Sequence, residues 1–83
     1  MTMEQLLKCG YIVEADDWMN LVVVWNGSAT FNVYCPIDAN EYREVDCFTR
    51  YNCSNVWNAR LIARKWIADR YSEMENYFGQ EAA

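Results

Sequence analysis

Apolar and polar positions alternate most cleanly between Ser28 and Cys35, where Ala29, Phe31, Val33 and Cys35 interleave with Ser28, Thr30 and Asn32. A period of two marks a strand with one buried face. A second run rich in β-branched and aromatic residues, Trp18 to Trp25, precedes it, and Asn26-Gly27 stands between the two. Both central residues of a type I′ turn need φ > 0, which Gly adopts freely and Asn tolerates. Trp18 to Cys35 is therefore predicted as a β-hairpin with a two-residue loop. That loop pairs Trp25 with Ser28, Val23 with Thr30, Leu21 with Asn32 and Met19 with Tyr34 on one face. The other face holds Val24 with Ala29, Val22 with Phe31, Asn20 with Val33 and Trp18 with Cys35, and it is the expected core. Met19, Leu21, Val23, Trp25 and Tyr34 are then left on an apolar outer face.

The flanking segments complete an α+β pattern. Thr2 to Gly10 reads as a short helix, with Thr2 and Gln5 as a capping box and Gly10 suited to the residue after the last turn. Tyr11 to Ala15 reads as a strand or an extended lead-in, followed by an acidic turn at Glu14, Asp16 and Asp17. Pro36 to Tyr42 is rich in turn formers and reads as a loop. Arg43 to Thr49 is a further strand whose charges suit a sheet edge. After a turn at Tyr51-Asn52-Cys53, Ser54 is the expected N-cap of a helix from Asn55 to about Tyr77. Its apolar stripe is Val56, Ala59, Ile62, Ala63, Trp66, Ile67, Met74 and Tyr77, with Lys65 and Asp69 paired on the far side. That stripe should lie on the inner sheet face, with Trp66 against Phe31 and Val22. The predicted fold is one α+β domain over residues 1–83 with a loose tail at 78–83. It has a three- or four-stranded antiparallel sheet, one long C-terminal helix packed on one face and a short N-terminal helix, in the order α-β-β-β-α.

Composition narrows the classes. A hydrophobic fraction of 53% with 16% aromatic residues supplies a core and excludes a disordered chain. No apolar run approaches the ~20 residues of a membrane helix. The first ten residues hold one basic residue and no apolar stretch of the secretory type, so the expected location is cytoplasmic. Cys9, Cys35, Cys47 and Cys53 then read as reduced thiols. There is no C-x-x-C spacing and no His, which argues against a zinc site, and no cofactor is expected. A Cys47–Cys53 disulfide would need an oxidising compartment.

Charge divides the chain in two. Residues 1–53 carry three basic and eight acidic side chains, 3 − 8 = −5, whereas residues 54–83 carry four of each and sum to zero. The acidic half is a poor match for a phosphate backbone, so direct nucleic-acid binding is not favoured. Catalysis lacks a foundation too: there is no His, no G-x-S-x-G and no Gly-rich phosphate loop. The acidic pairs Asp16 with Asp17 and Glu44 with Asp46 sit in a turn and on an edge strand, where solvated charge is the ordinary outcome. The protein is read as a non-enzyme.

Two resemblances bear on function. Arg60, Arg64, Lys65 and Arg70, with Ala59 and Ala63, lie on a last helix that resembles that of the double-stranded RNA-binding domain in place and element order. The lysine cluster of that family would fall near Asn55 to Asn58, and this chain has none there. As a whole, the short, acidic, motif-free chain resembles the inhibitors carried by phages and plasmids, such as anti-CRISPR and anti-restriction proteins. That resemblance implies a protein partner, a nucleic-acid-handling complex in the host cytoplasm. The expected contact residues are Met19, Leu21, Val23, Trp25 and Tyr34, with Trp25 and Tyr34 as exposed anchors. Asp16, Asp17, Asp38, Glu41, Glu44 and Asp46 would stand in for phosphates. The alternatives are a homodimer built on the outer hairpin face and a double-stranded-RNA-type binder.

Overall fold

The fold was obtained as a computed structural model that describes the backbone of residues 1–82 and the side chains of residues 1–73. The elements are α1 (Met3–Cys9), β1 (Tyr11–Asp16), β2 (Leu21–Trp25), β3 (Thr30–Asp38), β4 (Glu41–Thr49) and α2 (Val56–Ala82). The class is α+β. The segment after α1 is a full strand, so the sheet has four antiparallel strands in the order β1-β2-β3-β4.

The β2–β3 hairpin forms, but in another register. Trp25 pairs with Phe31, Val24 with Asn32, Val23 with Val33 and Val22 with Tyr34. Trp25 was expected opposite Ser28, so the slip is 31 − 28 = 3 positions. An odd slip exchanges the faces of one strand relative to the other. The cause is the Asn26 side chain. Its Oδ1 accepts the N–H groups of Ser28 at 2.8 Å and Thr30 at 3.2 Å, and the Asn26 N–H donates to the Thr30 carbonyl at 3.0 Å. Among the described residues only Asn20, Gly10 and Gly27 have positive φ, which rules out the type I′ turn. A side-chain-closed loop replaces it.

A similar substitution removes the loop expected at 36–42. Asp38 Oδ1 accepts the Asn40 N–H at 2.8 Å, and the chain reverses within two residues between β3 and β4. Pro36 therefore lies inside β3, opposite Tyr42. β2 pairs with β3 only up to Val22 and Tyr34, so the N–H that proline lacks falls beyond the β2 ladder.

Both sheet faces are covered. Val23, Trp25, Phe31 and Val33 pack against Ala59, Ala63 and Ile67 of α2. Val24 and Tyr34 pack against Leu6 of α1 on the opposite face, with Val22, Ile12 and Tyr42 at the margin. The capping box of Thr2 and Gln5 that opens α1 is present as predicted. At α2 the cap is Asn55 rather than Ser54: Asn55 Oδ1 accepts the Asn58 N–H at 2.9 Å, and helix begins at Val56. Trp66 stacks on Phe48 at 5.1 Å and Phe48 on Phe31 at 4.8 Å, whereas Val22 lies on the other face. Val56, expected in the stripe, is exposed. Met74 and Tyr77 lie outside the residues whose side chains are described. The backbone of 78–82 continues α2, and residue 83 lies outside the described residues.

Candidate functional site

Of the five residues expected on an exposed hairpin face, three are buried and two are half-buried. Val23 and Trp25 lie beneath α2, and Trp25 retains 4% of its exposure. Its indole N–H donates to the Ser28 carbonyl at 2.8 Å, which satisfies the one polar atom of the ring. Met19 and Leu21 are half-buried against the same cluster. Tyr34 is also 4% exposed, on the α1 side. Burial, and then the nearby Cys9 and Glu44, push its phenol pKa upward. Trp25 and Tyr34 are therefore not surface anchors. Each face acquires a helix of its own, and the apolar surplus that suggested an interface is consumed by the fold.

The acidic residues do not converge either. Asp16 ends β1 and Asp17 follows it at one sheet edge, while Glu41, Glu44 and Asp46 lie on β4 at the other. Two strands separate these edges, about 14 Å at the usual strand spacing. Within β4, Glu44 and Asp46 project to opposite faces: Glu44 accepts the Asn32 side-chain amide, and Asp46 accepts from Arg70 Nη2 of α2 at 2.9 Å. Glu41 is paired with the N-terminal ammonium of Met1. Asp17 and Asp38 are exposed.

What the tertiary structure does assemble is a groove where the end of β1 and the turn after it meet the middle of α2. Asp16 Oδ2 accepts the Met19 N–H at 2.8 Å, and Asn20 takes the left-handed conformation, φ 56°, that returns the chain into β2. This turn projects Trp18 away from the sheet, leaving it 79% exposed. Its ring meets Tyr71 of α2 edge to face, with centroids 6.3 Å apart. The two rings line an open groove of about 530 Å³ together with Ile67, Ala68, Glu14, Asp16, Arg64 and Ser72. Arg64 Nε donates to Glu14 Oε2 at 2.8 Å and pins α2 to β1.

Of this set only Asp16 was among the predicted contact residues. The alternation pattern puts Trp18 on the inner hairpin face, and Tyr71 lies off the apolar stripe of the helix. The available signal was local: a tryptophan directly after two aspartates sits in a turn more readily than in a strand. Among the described residues no three His, Cys, Asp or Glu side chains gather into a metal-holding group, and all four cysteines are free. No described helix is long and apolar enough to cross a membrane. The groove thus offers two aromatic rings, two carboxylates and one paired guanidinium. Compared with known proteins, the chain matches no family model, no curated protein and no solved structure.

Proposed function

We propose that this chain is a non-catalytic protein-binding module that inhibits a nucleic-acid-handling complex in a host cytoplasm. Its contact surface is the sheet end that carries Trp18. The exposed Trp18 ring, set against Tyr71 beside Asp16 and Asp17, carries the reading. A tryptophan left in solvent gains nothing from the fold's own core. Trp and Tyr are the residue types in which interface energy concentrates. Asp16, Asp17 and Asp38 have no cationic partner among the described residues, whereas Glu14, Glu41 and Asp46 are paired internally. Three of the carboxylates free to meet a basic partner, Asp16, Asp17 and Asp38, therefore lie at one end of the sheet, while Glu44 on β4 meets only the Asn32 amide among the described residues.

The homodimer alternative loses its basis with the burial of Trp25 and Tyr34. The RNA-binding alternative meets a fourth strand, and no lysine at the start of α2.

The test is capture of nucleic-acid-binding complexes from host lysate by the wild type and by Trp18→Ala, at low and high salt. A specific complex that is lost with Trp18→Ala, weakens with salt and is displaced by its own nucleic acid is the expected result. Failure to retain any nucleic-acid-handling protein, or direct binding of RNA by the isolated chain, would refute it.

A further inference from the structure

Among the described residues two aromatic rings carry a guanidinium of the same chain: Arg50 lies over Phe48 at 5.1 Å and Arg70 over Trp66 at 4.7 Å. Trp18, far more exposed than either, carries none among the described residues. Arg64, the one guanidinium lining the groove, is turned onto Glu14. Two carboxylates against one guanidinium leave the lining at 1 − 2 = −1. Asp16 uses Oδ2 for the Met19 N–H, which holds the carboxylate in place in the groove lining. The site therefore combines an uncommitted indole face, a fixed carboxylate and an apolar lining. That combination repels phosphate and favours a cation with an aliphatic stem.

We propose that the groove takes an arginine side chain of a protein partner. The guanidinium lies over Trp18 and forks onto Asp16, and its methylene stem rests on Ile67 and Ala68. The choice of a protein's side chain as occupant rests on the protein-binding reading above and sharpens it. Arginine fits better than lysine because its planar cation is weakly hydrated, stacks on indole and grips a carboxylate with two N–H groups. An ammonium keeps its water in so open a groove.

The test is calorimetric titration with nona-arginine and nona-lysine peptides, which carry equal charge. The wild type should bind the arginine peptide at least about threefold more tightly. Trp18→Ala, which alters no charge, should erase that preference and weaken the arginine peptide about five- to tenfold. Asp16→Asn keeps the acceptor for the Met19 N–H and should also abolish the preference. Glu4→Gln, on α1 across the sheet from α2, should change affinity less than about twofold, as a screened charge remote from the groove does. Far-UV circular dichroism checks that each variant is folded. Equal affinity for the two peptides, or a preference that survives both Trp18→Ala and Asp16→Asn, overturns the inference. Capture of a nucleic-acid-handling complex undiminished by Trp18→Ala would remove the groove from the account and leave the inhibitor reading standing. The expected peptide behaviour without any such complex would do the reverse.

Discussion

Replacing Gly10 by alanine tests the joint between α1 and the sheet. Gly10 has φ 157° and ψ −143°, a region that glycine enters without penalty. A Cβ built there lies 2.1 Å from the Trp25 carbonyl oxygen, 2.9 Å from its carbon and 3.0 Å from Asn26 Cα. All three are backbone atoms, so no side chain can rotate aside. The end of β2 would have to retreat by more than about 1 Å to restore ordinary C···O contact near 3.3 Å. That end pairs Trp25 with Tyr11 across β1 and with Phe31 across β3. Overpacking of this kind costs about 1–3 kcal/mol, and the backbone conformation adds about 1. The loss of glycine's freedom in the unfolded chain returns about 0.4–1. The net is about 2 kcal/mol, or a fall in Tm of roughly 8–16 °C for a domain this size. Gly27→Ala is the control: φ is 89°, but the nearest atom to an added Cβ is Tyr11 Cε2 at 3.6 Å, so only the dihedral term acts. Its gross cost is about 1 kcal/mol, in part offset by the same unfolded-state gain. Urea unfolding of the three proteins, followed by far-UV circular dichroism, measures both differences. Should Gly10→Ala cost no more than Gly27→Ala, the close approach of α1 to the β2 terminus is wrong.

Two further outcomes follow from burial and from the shifted phenol. Trp25→Ala should cost about 3–5 kcal/mol and unfold much of the population, whereas Trp18→Ala should stay within about 0.5 kcal/mol of wild type; comparable melting temperatures would contradict the faces assigned here. Tyr34 ionises at higher pH in the folded than in the unfolded chain, so above the ordinary phenol value near 10 the unfolded state releases its proton first. The contribution of Tyr34 is thus fully present below about pH 10 and lost as pH rises through the folded value; the difference in urea stability between wild type and Tyr34→Phe should change with that sign between pH 9 and 11, and a pH-independent difference would refute it.

Local chemistry made several elements legible. Thr2 and Gln5 form their capping box through atoms three residues apart, and no distant contact can alter that pairing. The small residues Ala59 and Ala63 share a helix face with Ile67, and that stripe is the one α2 buries. The antiparallel sheet and its long closing helix follow from runs of β-branched residues and from this stripe. Even the uninterrupted apolar run Leu21 to Trp25 carried a message, since a strand apolar on every position is one buried on both faces.

Register and exposure were decided by the tertiary structure. When both neighbouring positions are apolar, alternation no longer distinguishes one face from the other, and a slip of three residues leaves the hydrophobic pattern almost unchanged. The Asn26 side chain bonds the Ser28 and Thr30 amides and closes the loop in the observed register. Placing α1 and α2 on opposite faces then buries Trp25 and Tyr34. Trp18 stays outside because the turn through Asp16 and Asn20 carries it clear of the sheet and up to Tyr71, more than fifty residues away in sequence. Local patterns settle which residues form helices and strands, because backbone hydrogen bonding and periodicity act over a few positions. Which aromatic ring is left for a partner depends on contacts between distant elements, and those exist only once the chain has folded.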